Sequence, residues 1–144
     1  MSPFSKLFRQ LREKTGLRQK DLAERLGYEQ SYLSAVEIGT KGPPTPEFVQ
    51  KLISVLALND DEAWQLWEAT NASQRKIQIP SDAPEGVFLL GYELRKQIDY
   101  LHPSQVEAML AILKLSTAMK LAEPTGIQNV GRRKAVLREQ EAQM

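Results

Sequence analysis

The sequence predicts an all-α protein, and three observations support this fold class. Apolar residues recur at spacings of three and four along most of the chain, which places them on single faces of helices. Glycines directly follow two of these patterns, at Gly27 and Gly39, where a helix end favours a positive φ and no Cβ. Pairs such as Ser2-Pro3 supply the capping residue and the first helical residue that begin a helix.

Five helical patterns occupy residues 1–71, which we interpret as the first domain. Asn59 caps the fifth pattern, and Glu62 completes a capping box with it. We expect Trp64 and Trp67 to pack in the core, because they lie at helical spacing without the interleaved basic residues of a platform that stacks single-stranded bases. The apolar faces are formed, in chain order, by Phe4, Leu7, Phe8 and Leu11; Leu22, Ala23 and Leu26; Tyr32, Leu33 and Val36; Phe48, Leu52, Val55 and Leu56; and Ala63, Leu66, Trp67 and Thr70.

A polar stretch with two prolines, residues 72–84, is predicted to be a linker. Residues 85–122 then carry two more helical patterns, which together predict a helical hairpin. The second pattern begins at Pro103, with His102 or Ser104 near its cap. The first pattern has a single apolar stripe, formed by Val87, Leu90, Leu94, Ile98 and Leu101.

The second helix of this hairpin is apolar on two opposite sides, one containing Val106 and Leu110 and the other Ala108 and Ile112. Both apolar sides of such a helix must be packed against other parts of protein, but the hairpin itself supplies only one neighbouring helix. The second cover is either the first domain or another copy of the chain, and we favour another copy. The residues expected at this dimer interface are Val87, Leu94, Ile98, Ala108, Ile112, Leu115 and Met119.

Composition excludes several classes of protein. Of the 144 residues 42% are apolar and 26% are charged, as in an ordinary globular protein, and no apolar run has the length of a membrane span or of a secretion signal. There is no cysteine and one histidine, so disulfides are excluded and a zinc site has too few ligands. The chain has no glycine-rich phosphate loop, and Ser31 and Ser34 have no histidine nearby in the sequence that could act as a base, so we expect no enzyme and no cofactor.

Charge is unevenly distributed, although the net charge is +1. Residues 1–51 contain nine Lys and Arg against six Asp and Glu, a balance of +3. Residues 52–71 contain none against four, a balance of −4. A basic side formed by the first range and an acidic side formed by the second would orient the first domain in the electrostatic field of phosphate groups.

The segment from Gln19 to Gly39 combines two of the five patterns into one motif. Two helices of about eight residues on either side of a tight turn at Gly27 form a helix-turn-helix. The outer face of its second helix carries small and uncharged polar residues, which allow a helix to approach base edges closely. These residues are Gln30, Ser31, Ser34 and Ala35.

This segment resembles the Cro and phage-repressor type of helix-turn-helix, the XRE family. The resemblance covers about residues 4–71 and implies a five-helix, lambda-repressor-like DNA-binding domain whose helix near 29–38 enters the major groove of double-stranded DNA. The C-terminal hairpin would follow it as a dimerisation appendage. The residues that carry the resemblance are Leu17, Gln19, Leu22, Ala23, Gly27, Ser31, Tyr32, Leu33, Val36, Glu37 and Gly39.

The resemblance also implies roles for individual residues. Gln30 would pair with adenine, Ser31 and Ser34 with a base or a phosphate, and Ala35 with a thymine methyl group. A pairing between Arg12 and Glu37 would lock the recognition helix to the first helix, although two unrelated surface charges are the alternative. The residues expected at the DNA backbone are Arg18, Gln19, Lys20, Thr40 and Lys41, the last two with a plain turn as an equal alternative.

Two positions depart from the family pattern. Glu29 stands where Ser or Thr is preferred, and Ile38 where a polar residue is common. Both departures affect which bases the helix would prefer, and neither changes the predicted fold. The basic cluster 132–134 lies in a tail, residues 123–144, that we expect to be flexible and to solvate the chain end rather than contact DNA.

The function hypothesis is a cytoplasmic regulator at the bacterial nucleoid, a repressor that binds a palindromic operator as a homodimer. Its alternative is an antitoxin or adaptor whose C-terminal helices bind another protein, with DNA binding used for autoregulation. A weaker third possibility is a helix-turn-helix that serves only as a protein scaffold.

Overall fold

The computed structural model describes the backbone of residues 1–119 and the side chains of residues 1–115, and no strand occurs in this range. The expected tail, residues 123–144, and the side chains of Thr117 and Met119 lie outside the described residues. The helices are α1 (Pro3–Thr15), α2 (Gln19–Leu26), α3 (Gln30–Ile38), α4 (Pro46–Val55), α5 (Asp60–Ala72), α6 (Glu85–Gln97), a 3-10 turn (Ile98–Tyr100) and α7 (Pro103–Met119).

The chain forms two compact units, Met1–Ile77 and Gln78–Met144. The boundary falls inside the stretch 72–84 that the sequence predicts to be a linker. None of the helices in residues 1–119 is both long and apolar enough to cross a membrane.

Three helices of the first unit, α1, α4 and α5, begin where a short polar side chain accepts a hydrogen bond from one of their free N–H groups. Ser2 Oγ accepts a hydrogen bond from Ser5 N at 3.1 Å, and Pro3 follows as the first helical residue. At α5, Glu62 N donates to Asn59 Oδ1 at 2.8 Å and Asn59 N donates to Glu62 Oε1 at 3.3 Å, which is a complete capping box. These contacts fix where each helix begins and therefore which face it buries.

The core of the first unit lies between α1 and the helices that pack around it. Phe48 is fully buried, and its ring meets those of Phe4 and Phe8 edge-on at centroid distances of 6.4 and 5.9 Å. Aromatic pairs of this kind add to the free energy gained by burying apolar area. The buried apolar side chains are Phe4, Phe8, Leu11, Leu22, Ala23, Leu26, Leu33, Val36, Phe48, Val49, Leu52 and Leu66.

The expectation that both tryptophans lie in the core is wrong for one of them. Trp67 packs against the core, but 64% of Trp64 is exposed. The buried stripe of α5 is centred on Leu66 and Thr70, and Trp64 lies two residues from Leu66, nearly on the opposite side of the helix. Helical spacing between two tryptophans therefore did not place both on the buried side.

A smaller correction concerns α4. Val55 and Leu56, which the sequence places in its buried stripe, are half-buried and lie at the edge of the core. Val49, which the pattern does not include, is fully buried. It follows Phe48 and shares the first turn of α4 with it, where the helix enters the aromatic cluster.

The second unit begins with a segment that has no regular secondary structure apart from a turn at residues 81–82, followed by α6 and α7. A Cβ on Gly91 would lie 2.8 Å from Ile79 Cδ1, so the glycine allows this segment to approach α6 closely. His102 caps α7, because Ser104 N donates to His102 Nδ1 at 3.2 Å, while His102 N donates to Gln105 Oε1 at 2.8 Å. The lone histidine of the chain thus has a structural role at the start of a helix.

Candidate nucleic-acid interface

Helices α2 and α3 pack together through small and branched apolar side chains. Gly27 ends α2 with φ +75°, and Tyr28 N donates to Ala23 O at 3.0 Å, so the chain turns at once into α3. Leu22 on α2 and Leu33 on α3 are fully buried. The inner face of α3 is thereby fixed, and its remaining faces are presented outward.

The outward face of α3 is polar at its N-terminal end. Gln30 and Ser31 are exposed, and Ser34 and Ala35 are half-buried. Glu29 precedes α3 without a side-chain hydrogen bond to its N–H groups, so its carboxylate remains on the surface beside Gln30. An amide and hydroxyl groups on a short helix anchored from behind can enter a groove and form hydrogen bonds with base edges.

An apolar residue lies at the other end of the same face. Ile38 is 61% exposed, and at about 100° per residue it falls between Ser34 and Ser31 on the helical wheel. Ile38 stands at a position where a polar residue is expected, and it lies on the solvent side of α3. Its methyl groups can contact apolar atoms of a ligand but form no hydrogen bond.

A buried ion pair joins α3 to α1. The Glu37 side chain is 6% exposed, and its carboxylate receives two hydrogen bonds from Arg12, Nη2 to Oε1 at 2.7 Å and Nε to Oε2 at 3.0 Å. Arg12 Nη1 also donates to Leu17 O at 2.9 Å. Two parallel hydrogen bonds between a guanidinium and a carboxylate fix orientation as well as distance, so the pair sets the position of α3 against α1.

Gln19 extends this pair into a network. Gln19 Nε2 donates to Glu37 Oε2 at 2.9 Å, so the first residue of α2 also contacts the last turn of α3. The sequence pattern predicts Gln19 at the DNA backbone and gives no sign of its contact with Glu37. An amide nitrogen carries two hydrogens, and the hydrogen bond to Glu37 uses one of them.

The network determines the ionisation of Glu37. Burial raises the pKa of this carboxyl, but the hydrogen bonds from Arg12 and Gln19 and the nearby charges of Arg12 and Arg9 outweigh burial and hold the pKa below its usual value. The hydrogen bond to Glu37 likewise raises the pKa of Arg12. Both groups therefore remain charged at neutral pH, and the ion pair persists there.

The loop after α3 presents the two remaining backbone candidates. Thr40 and Lys41 are exposed, and Thr40 Oγ1 donates to Ala35 O at 3.2 Å. Lys41 Nζ lies 5.7 Å from the ring centroid of Tyr32, whose ring stacks on Tyr28 at 5.2 Å. A cation–π contact limits the positions of the lysine without neutralising its charge.

Basic residues also lie at the start of α2. Arg18 and Lys20 are exposed on either side of Gln19, and the side chain of Arg18 forms no capping hydrogen bond with the helix. The start of α2 and the loop after α3 thus both carry exposed cations of the helix-turn-helix. In protein–DNA complexes, contacts between such cations and phosphates position the protein on the duplex without reading its sequence.

The residues expected at a dimer interface lie in the second unit, where none of the side chains of residues 78–115 is buried. Val87, Ile98, Ile112 and Leu115 are 41%, 56%, 66% and 60% exposed, Ala108 is exposed and Leu94 is half-buried. Between α6 and α7 lies an open apolar cavity of about 350 Å³, lined by Leu90, Leu94, Leu101, Val106, Met109, Leu110, Ile112 and Leu113.

Residues 4–66 match the family model of a helix-turn-helix domain. This range includes α1 to α4 and the first part of α5, and therefore the whole network of Arg12, Gln19 and Glu37. No curated protein and no solved structure matches the chain. Among the described residues no cluster of three His, Asp or Glu side chains could hold a metal ion.

Proposed function

We propose, because residues 4–66 are a helix-turn-helix domain, that the chain is a sequence-specific DNA-binding transcriptional regulator of the XRE type. The outward face of α3 carries this proposal. Gln30 and Ser31 are free on the surface, while Leu33 and the ion pair of Glu37 hold the helix from behind. A helix supported in this way enters the major groove with little reorganisation, and Gln30 is the residue that reads a base.

The proposed complex is a homodimer on a palindromic operator in the bacterial nucleoid. One recognition helix reads only a few base pairs, and two copies related by a two-fold axis would read half-sites about one helical turn apart. The exposed apolar side chains of α6 and α7 support self-association, because monomeric proteins rarely leave contiguous apolar surface of this kind uncovered. Repression follows from occupancy, since a bound dimer covers promoter DNA.

Selection of bound duplexes from a random pool tests the proposal. We expect a palindrome to emerge, and binding to it to weaken steeply as salt increases. In Gln30→Ala, the preference for the correct base at one position of each half-site should fall by about 1–3 kcal/mol. Lys41→Ala is the matched variant, and it should weaken binding to every duplex alike. A pure protein that retards no duplex even at low salt would refute DNA binding and favour a scaffold role.

A second candidate function rests on the same exposed hairpin. An antitoxin or adaptor would use the apolar face of α6 and α7 to bind a different protein, with DNA binding serving autoregulation. Sedimentation of the purified chain separates the two proposals. A stable dimer supports the homodimeric repressor, whereas a monomer that aggregates through this face supports a missing protein partner.

A further inference from the structure

The segment after α5 returns to the C-terminal end of the recognition helix. Ser73 is buried, accepts a hydrogen bond from Phe4 N at 2.9 Å and donates one to Ala69 O at 2.6 Å. These bonds fix the direction in which the chain leaves α5. Two residues later Arg75 Nη2 donates to Gly39 O at 2.6 Å, across 36 positions of sequence. Gly39 is the C-cap of α3.

The charge of Arg75 is not neutralised by this contact. A guanidinium has five N–H donors, and the hydrogen bond to Gly39 O uses one of them. In the part of the chain that the structure describes, the ion pairs involve Arg9, Arg12, Lys14 and Lys96, and Arg75 takes part in none. Arg75 is exposed, so its remaining donors and its full positive charge are available to a ligand.

The position of Arg75 indicates what that ligand is. Gly39 immediately precedes Thr40 and Lys41, so the guanidinium lies at the same end of α3 as this exposed loop. The C-terminus of a helix carries partial negative charge, which would repel a phosphate approaching there. Arg75 offsets that charge and offers planar paired donors, which suit a phosphate diester better than an ammonium group does.

We infer that Arg75 is a DNA-backbone contact supplied from outside the helix-turn-helix motif. The inference rests on the proposed function and extends its interface by one phosphate. The competing explanation is structural, in which Arg75 only caps α3 through Gly39. The two explanations differ in one measurable quantity, because a phosphate contact releases a counterion and a cap does not.

The test measures the affinity of the full chain for its selected duplex between about 50 and 200 mM salt. Arg75→Ala and Arg75→Gln both remove the charge, and Arg75→Gln leaves a polar side chain in its place. Both should bind about fivefold more weakly, and the slope of log K against log salt should decrease in magnitude by about one. Arg75→Lys should keep the slope. Affinity for a non-specific duplex should fall by the same factor.

Lys76→Ala is the control, since Lys76 is the adjacent exposed cation and forms no hydrogen bond or ion pair within residues 1–119. Its slope should stay close to that of the unaltered chain. The inference is overturned if the Arg75→Ala and Arg75→Gln slopes are unchanged, whether or not their melting temperatures fall, or if Lys76→Ala changes the slope equally. An unaltered chain that binds no duplex would instead refute the proposed function, and the inference with it.

Discussion

The two units of the chain differ in what happens to their apolar side chains. In residues 1–77, twelve of them form a core and are each at most 8% exposed. In residues 78–115, none is buried, and Leu90 and Ile112 are 59% and 66% exposed. Burying one such side chain fully would contribute about 1.5–3 kcal/mol. The first unit is stabilised by this burial, whereas residues 78–115 of the second unit are not.

The same periodicity thus has different consequences in the two units. Five helices can cover one another, so each apolar stripe of residues 1–77 meets another stripe. A hairpin has one internal contact surface, and α7 is apolar on two sides. The sequence pattern therefore tells which faces are apolar, while the number of neighbouring helices decides whether those faces are buried.

The polar contacts of the two units differ in the same direction. In the first unit Glu37 is buried and joins α1, α2 and α3 through Arg12 and Gln19. In the second unit the ion pair of Lys96 with Glu93, at 2.9 Å, lies within one helix and is exposed. Exposed local pairs contribute little to stability, whereas breaking a buried pair is costly. We therefore expect substitutions in the core and in the Glu37 network of the first unit to lower the free energy of unfolding, and substitutions of exposed residues to change it little.

The largest expected effect is the loss of Phe48. Its ring is fully buried and contacts Phe4, Phe8, Tyr28 and Tyr32. Phe48→Ala should lower the free energy of unfolding by about 3–5 kcal/mol, because it removes these contacts and leaves a cavity. Urea denaturation followed by circular dichroism measures it.

The control for Phe48→Ala is Tyr100→Ala in the second unit, where the side chain is 85% exposed. This change should shift the free energy of unfolding by less than about 0.5 kcal/mol. Equal effects of the two substitutions would contradict the contrast between a covered and an uncovered unit.

A somewhat smaller effect is expected at Glu37, and it should depend on pH. Glu37→Gln removes the charge that pairs with Arg12 and should cost about 3 kcal/mol at neutral pH, the lower end of the range for a buried pair, because 16% of the Arg12 side chain is exposed. The pKa of Glu37 in the folded chain is lowered from 4.5, so its contribution is complete above about pH 4.5 and is lost as pH falls through the folded pKa. Urea denaturation at neutral pH and at about pH 3 should show the difference between the two proteins shrinking in acid.

Glu13→Gln provides the comparison for Glu37→Gln. Glu13 pairs with Arg9 at 3.1 Å, but both side chains are more than half exposed. Its removal should change the free energy of unfolding by less than about 0.5 kcal/mol at neutral pH. A cost for Glu37→Gln that is independent of pH would show that packing, not charge, dominates at this position.

Local signals in the sequence predict most of the first unit. Capping residues such as Asn59 and the glycine at 27 act within a few positions, so they can be recognised without knowing the fold. The contacts of Gln19 with Glu37 and of Arg75 with Gly39 span 18 and 36 positions and depend on how the helices pack. Composition indicates only that Arg75 lies in a polar, basic stretch, and no local rule distinguishes it from Lys76.

The misplacement of Trp64 has a related cause. Residues three apart lie on neighbouring strips of a helix, but the width of the buried strip is set by the helix opposite. In α5 that strip centres on Leu66 and Thr70, and Trp64 falls outside it. Periodicity alone therefore predicts a face better than it predicts the burial of any one residue at the edge of that face.

The smallest expected effect tests the second unit itself. Ile112 is 66% exposed, and Ile112→Glu would be harmless in a monomer with a free face. In the proposed homodimer it places an unpaired charge in the interface and should weaken association by about 2–3 kcal/mol, or roughly 30- to 150-fold in Kd. Analytical ultracentrifugation over a range of concentrations measures this change.

Gln105→Glu adds the same charge to the same helix at an exposed polar position, and a glutamate can still accept the hydrogen bond from His102 N. It should leave the dimer intact, so a difference between the two variants assigns the effect to the apolar face rather than to net charge. If Ile112→Glu and Gln105→Glu both sediment as unaltered dimers, the chain associates through some other surface. If the unaltered chain is itself a monomer, the free apolar face of α6 and α7 is left for a different protein, and the second proposed function takes precedence.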